Sequence, residues 1–123
     1  MKRNVTTKKD GVSDNFLTYI PIPNPKYPFE VNEKQEVTIL QEHRGPFYFL
    51  TQKLMKKPRY TQIHLDEMGN YIWSLMDGKN DIIAIASAVK EHYGQKAEPL
   101  YPRMAQYFQT LASYEFVILN KPE

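Results

Sequence analysis

The stretch Leu65-Asp-Glu-Met-Gly-Asn-Tyr-Ile-Trp-Ser-Leu-Met-Asp-Gly78, followed closely by Asp81-Ile-Ile-Ala-Ile-Ala-Ser-Ala-Val89, decides the fold. Met68, Ile72, Leu75 and Met76 recur on one helical face. Asp66 stands where an N-cap carboxylate satisfies free N–H groups, and Gly78 supplies a left-handed stop. Asn80 or Asp81 caps a second helix whose Ile82, Ile85, Ala86, Val89 and Tyr93 keep the helical spacing until Gly94. A third begins near Pro99, a favoured first-turn position, and runs to about Ser113 with Leu100, Met104, Tyr107, Phe108 and Leu111 as its stripe. Phe116-Val-Ile-Leu119 predicts a short strand or extended tail.

Upstream of Leu65 the chemistry changes to strands. Tyr60 to Leu65 alternates, with Ile63 and Leu65 on one face and Gln62 and His64 on the other. Val37-Thr-Ile-Leu-Gln41, within a strand from Glu36 to Glu42, and Phe47-Tyr-Phe-Leu-Thr51 are β-prone runs, and His43-Arg-Gly-Pro46 between them reads as a hairpin turn. Residues 16–29 are apolar but carry prolines at 21, 23, 25 and 28, which bar a helix and any central strand. That segment lies extended, packing through Phe16, Leu17, Tyr19, Ile20, Tyr27 and Phe29 on the domain or on a second copy. Residues 1–15 are polar and aperiodic, a loose arm.

The predicted organisation is a flexible, Pro-rich arm over residues 1–34 and one domain over 35–120. Three short strands are not stable alone, so the amphipathic helices must cover one face of their sheet. The fold class expected is a small α+β, winged-helix-like domain: a three-stranded antiparallel sheet followed by three helices. Trp73 adjoins Ile72 and points off the main stripe, toward the Pro-rich arm or a contact surface.

A chain of 123 residues and 14.5 kDa is one domain that can bury roughly two-thirds of the surface its unfolded form exposes. With no cysteine, disulfides, thiolate nucleophiles and cysteine-bearing metal knuckles are excluded. No run of about 18 apolar residues and no signal-type start is present, so the chain reads as soluble and cytoplasmic, with no membrane partner. The net charge of +2 is split: residues 1–60 carry eleven Lys/Arg against six Asp/Glu, and residues 61–123 five against eight.

Catalysis needs a constellation, and none is visible. His43, His64 and His92 are 21 and 28 positions apart, too far for helical metal spacing. His64 near Asp66 and Glu67 reads as an exposed strand residue rather than a ligand. Ser74 and Ser87 lie in helices without a nucleophile elbow, and no glycine-rich phosphate loop occurs. The expectation is a non-enzyme with no cofactor and no metal. Helix order alone also fits a winged helix-turn-helix DNA-binding protein. Residues 99–114 hold a single basic side chain, Arg103, which argues against a nucleic-acid-reading helix. The basic cluster Lys53, Lys56, Lys57 and Arg59 reads equally as a solvated loop or a binding surface.

Leu65 to Gly78, Asp81 to Val89 and Tyr93-Gly94 resemble the PqqD family, with a Leu-Asp step ending the third strand, an Asp-Gly closing a helix and an Ile-Ala pair in the next. Arg103-Met-Ala-Gln-Tyr-Phe-Gln-Thr-Leu111 is similar to the family's third helix, although Arg103 stands where an acidic residue is common and Glu115 where a glycine usually stands. The resemblance spans roughly residues 36–119. It implies a non-catalytic RiPP recognition element, a peptide chaperone binding the leader of a ribosomally made precursor as an added strand. The same resemblance implies presentation of the precursor to a modifying enzyme, often a radical SAM protein. The implied peptide contacts are Arg59, Tyr60, Thr61, Gln62, Ile63 and His64 along the third strand. On the third helix they are Tyr101, Arg103, Met104, Tyr107, Phe108 and Leu111. Strands pairing in chain order leave Tyr60 to His64 as a free edge, ready for β-augmentation. Lys57, Arg59 and Arg103 beside it favour an acidic leader. A structural role, with the arm exchanged in a homodimer, is a third reading.

Overall fold

Short acidic side chains start two of the helices. The Asp66 carboxylate accepts from the Gly69 N–H at 2.7 Å and the Asp81 carboxylate from the Ala84 N–H at 2.8 Å. Each satisfies a donor that the first helical turn leaves without a partner. The computed structural model describes residues 8–9, 12–42 and 60–122. Two-residue strands β1 (Lys8–Lys9) and β2 (Val12–Ser13) and one helical turn, α1 (Asp14–Leu17), come first. They are followed by β3 (Ile20–Pro23), β4 (Phe29–Val31), β5 (Val37–Glu42) and β6 (Tyr60–His64). The helical half is α2 (Glu67–Ser74), α3 (Ile82–Tyr93), a 3-10 turn at Gly94–Ala97 and α4 (Leu100–Ser113), and β7 (Val117–Asn120) closes the chain.

β4, β5 and β6 form one antiparallel sheet in that order, β3 pairs antiparallel with β7, and β1 with β2. The class is therefore α+β with a three-stranded antiparallel sheet, consistent with a small winged-helix-like domain. One strand differs from the sequence expectation. The first strand of the sheet is Phe29–Val31, drawn from the Pro-rich segment, and β5 is central. Both sides of β5 are taken by β4 and β6, so the expected hairpin across Gly45-Pro46 is not the pairing β5 adopts. Phe47 to Thr51 itself lies outside the described residues.

The prolines explain why this segment makes edges rather than centres. The Asn24 N–H donates to the Phe116 carbonyl at 3.0 Å, which fixes the parity of the β3–β7 ladder. Ile20 and Ile22 then face β7, while Pro21 and Pro23, which have no N–H to give, face away. Residues 16–31 pack on their own chain: Leu17 and Pro21 are buried, Tyr27 meets Phe116 edge-on at 5.2 Å, and Phe29 meets Trp73 the same way at 5.2 Å.

Leu17, Ile39, Ile72, Ile82, Ile85, Val89, Met104 and Phe108 are each at most 1% exposed and join the sheet to all three longer helices. Among the described residues no polar or charged residue is buried. Three side-chain hydrogen bonds to backbone tie distant parts of the chain together: Asn24 Nδ2 donates to the Glu115 carbonyl at 2.7 Å, Asn70 Oδ1 accepts from the Val37 N–H at 2.9 Å, and the Tyr107 hydroxyl donates to the Gly69 carbonyl at 3.0 Å.

Gly69 is where Tyr107 of α4 reaches α2. A Cβ there would stand 2.9 Å from Asp66 Oδ1, 3.2 Å from Leu65 Cβ and 3.4 Å from Tyr107 Cε1. Helix propensity alone makes Gly→Ala stabilising by about 1 kcal/mol in a helix interior. Here the methyl displaces the capping carboxylate and presses on Leu65, so Gly69→Ala is expected to destabilise by about 1 kcal/mol instead. Urea unfolding reads the sign directly, and a stabilised variant would contradict this packing.

Candidate functional site

The register of the sheet decides which backbone groups β6 leaves free. The Leu40 N–H donates to the Pro28 carbonyl at 2.8 Å and the Asn32 N–H to the Glu36 carbonyl at 3.1 Å, so even-numbered residues of β5 face β4. Val37, Ile39 and Gln41 consequently face the β6 side, where Ile39 opposes Ile63 and Gln41 opposes Thr61. The N–H and C=O groups of Tyr60, Gln62 and His64 point away from the sheet. Among the described residues no strand pairs with that rim.

The side chains follow the same alternation. Thr61 and Ile63 are half-buried beneath the helices, and Tyr60, Gln62 and His64 are exposed on the far face. His64 Nδ1 lies 3.2 Å from Thr38 Oγ1 across the strand pair. Directly after this rim the chain passes through Leu65 into the Asp66 cap, against which Tyr107 of α4 is held. Desolvation raises the Tyr107 phenol far above its ordinary value, and the charge of Asp66 adds to this. The hydroxyl is thus a permanent donor to Gly69.

On α4, Arg103, Gln106, Tyr107, Thr110 and Leu111 share one face and line a shallow cavity of about 250 Å³. Arg103 is anchored through one guanidinium nitrogen to the Lys96 carbonyl at 2.7 Å, and its side chain is otherwise exposed. Four further N–H donors of that planar fork remain for an anion.

Placement sorts the sequence candidates. Tyr60, Gln62 and His64 offer backbone at the rim, and Arg103, Tyr107 and Leu111 line the α4 cavity. Thr61 and Ile63 spend their backbone groups on β5. Tyr101 is half-buried on the first turn of α4. Met104 and Phe108, at 1% and 0% exposure, are core residues and present no surface to a peptide. One helical residue corresponds to 100°, which is enough to carry positions 104 and 108 from the cavity face to the interior. Arg59, with Lys53, Lys56 and Lys57, lies outside the described residues. Gln106 and Thr110 complete the cavity face and are not among the candidates that the sequence indicates. Their signal was helical spacing from Arg103 and Tyr107, obscured because both side chains are polar.

A larger cavity, about 520 Å³, lies elsewhere, between the β4–β5 turn, α2 and the end of α3. Its aromatic wall is Tyr71 stacked on His92 with ring centroids 4.3 Å apart, and Tyr93. Among the described residues no group of three or more His, Asp or Glu could hold a metal ion, and no helix is long and apolar enough to cross a membrane.

The described residues thus form a small α+β domain whose three-stranded sheet has a β6 rim that pairs with no other described strand. The sequence profile described as Coenzyme PQQ synthesis protein D (PqqD) matches residues 54–117, just over half of the chain, and the chain belongs to that family. Membership points to a peptide-binding chaperone in cofactor or ribosomal-peptide biosynthesis, in a non-catalytic accessory role alongside a precursor peptide and a partner enzyme. No curated protein and no solved structure matches the chain.

Proposed function

We propose that the protein binds the leader of a ribosomally made precursor as an added antiparallel strand on β6 and presents the remainder to a modifying enzyme of the radical SAM type. The observation that carries this reading is the outward backbone of Tyr60, Gln62 and His64, three residues whose hydrogen-bonding groups pair with no strand among the described residues. Backbone pairing supplies affinity. Side chains of the leader reach the α4 face, where Tyr107 and Leu111 offer apolar area and Arg103 favours a carboxylate. Residues 35–120 act as the recognition unit, with the preceding segment as its brace, and the work is done in the cytoplasm without a cofactor of its own.

Calorimetric titration with the leader of a precursor encoded beside this gene tests the reading. Saturable one-to-one binding that weakens with salt is expected, together with lost affinity for a leader whose acidic residues are replaced by glutamine. A leader that does not bind, while duplex DNA binds with a steep salt dependence, would instead establish the winged helix-turn-helix reading.

A further inference from the structure

We infer that the opposite rim of the sheet, β4, is a second strand-accepting edge. Its occupant is an extended, mainly apolar segment of a partner protein that carries a basic residue opposite Glu30. The same register that frees alternate residues of β6 frees alternate residues of β4. Pro28, Glu30 and Asn32 face β5, so the N–H and C=O groups of Phe29 and Val31 point outward. No hydrogen bond from these groups to another described residue is present.

Chemistry at this rim differs from that at β6. Phe29 and Val31 are 40% and 47% exposed although their side chains lie on the helix-covered face of the sheet. They border a cavity of about 240 Å³ that Val37, Trp73 and Met76 help to line. That volume suits one or two side chains rather than a whole small-molecule ligand. Trp73 is only 4% exposed, and its indole N–H is the one buried side-chain donor among the described residues without an acceptor. A buried donor left unpaired is costly, which makes the packing around Trp73 sensitive to what lies against Phe29.

Charge selects the kind of strand. Glu30 is exposed on the other face of β4, and on an added antiparallel strand the residue directly opposite it belongs to a close, non-hydrogen-bonded pair. In sequence, residues 30–38 carry Glu30, Glu33 and Glu36 against one basic residue, Lys34. Two copies of this chain paired about a two-fold axis through Glu30 would set one carboxylate against the other, which disfavours self-association and favours Lys or Arg from a different chain. One sheet thus presents two rims of opposite preference, an acidic leader at β6 and a basic segment at β4.

Capped pentapeptides Val-Lys-Val-Lys-Val and Val-Glu-Val-Glu-Val test this, titrated to about 5 mM into isotopically labelled protein at low salt, since isolated short strands bind in the millimolar range. The lysine peptide is expected to shift the Phe29 and Val31 amides and the indole resonance of Trp73, the chain's single tryptophan, in one saturable transition. Its affinity should exceed that of the glutamate peptide about fivefold. Glu30→Lys, an exposed change, should reverse the preference, and Val31→Pro, which removes an outward donor, should abolish the shifts. Equal affinities for the two peptides, a preference unchanged in Glu30→Lys, or shifts confined to Tyr60, Gln62 and His64 would each overturn the inference. So would concentration-dependent dimerisation of the free protein through the Phe29 and Val31 amides.

Discussion

Phe108→Ala is expected to lower the unfolding free energy by about 4 kcal/mol, with a midpoint shift in urea and an unchanged slope. The ring is 0% exposed, stands edge-on to Tyr107 with centroids 5.1 Å apart, and belongs to the cluster that joins α4 to the sheet and to α3. Truncation removes most of an aromatic side chain from a site whose backbone is fixed by a fourteen-residue helix on one side, so the void cannot close. A domain of this size has a total stability of only about 5–15 kcal/mol, so the loss is a large fraction of it. A cost under about 1 kcal/mol would show that Phe108 is free at the surface and return it to the peptide contacts proposed from sequence.

Gln62→Pro is expected to reduce leader affinity roughly ten- to a hundredfold while the domain stays folded. Parity of the ladder is the reason. The Gln62 N–H points out of the sheet, so proline there removes no bond between β5 and β6, yet it deletes the central donor of the rim and leaves a leader carbonyl unpaired. Ile63→Pro is the contrasting change, because Ile63 faces Ile39 inside the ladder, and it should cost stability rather than binding alone. Unaltered leader affinity in a folded Gln62→Pro protein would place the peptide elsewhere.

The helical half was legible because its signals are local. Asp66 and Asp81 cap as their positions indicate, Gly94 ends α3 with a φ of 62°, and the apolar stripes of α3 and α4 point inward. Trp73 meets the Pro-rich segment at Phe29, one of the two places its position off the stripe allowed. The sheet was less legible, because strand pairing is a long-range choice. Phe47 to Thr51 has the stronger β-forming composition, whereas Phe29-Glu-Val31 is short and follows four prolines. What places Phe29–Val31 beside β5 is the turn between them. Asn32 Oδ1 accepts from the Lys34 and Glu36 N–H groups at 2.9 Å each, and Gln35 takes a φ of 63°. An asparagine directly after an alternating triplet was the available cue. The couplings that seat the site, Asn70 to Val37 and Tyr107 to Gly69, span 33 and 38 residues and leave no periodic trace in sequence.

Tyr107 illustrates how one side chain serves both roles. Its hydroxyl fixes α4 against the first turn of α2, and its ring forms part of the cavity beside Arg103 and Leu111. The Tyr107–Gly69 bond ties α4 to the start of α2, which follows β6 in the chain after Leu65 and Asp66.

Amide hydrogen exchange resolved by residue, in the free protein and in the leader complex, tests most directly whether β6 accepts a strand. The alternation predicts exchange slowed about tenfold or more at Tyr60, Gln62 and His64, with little change at Thr61 and Ile63, already bonded to β5. New protection spread over α3, or falling on Thr61 and Ile63 and sparing the three rim residues, would contradict it.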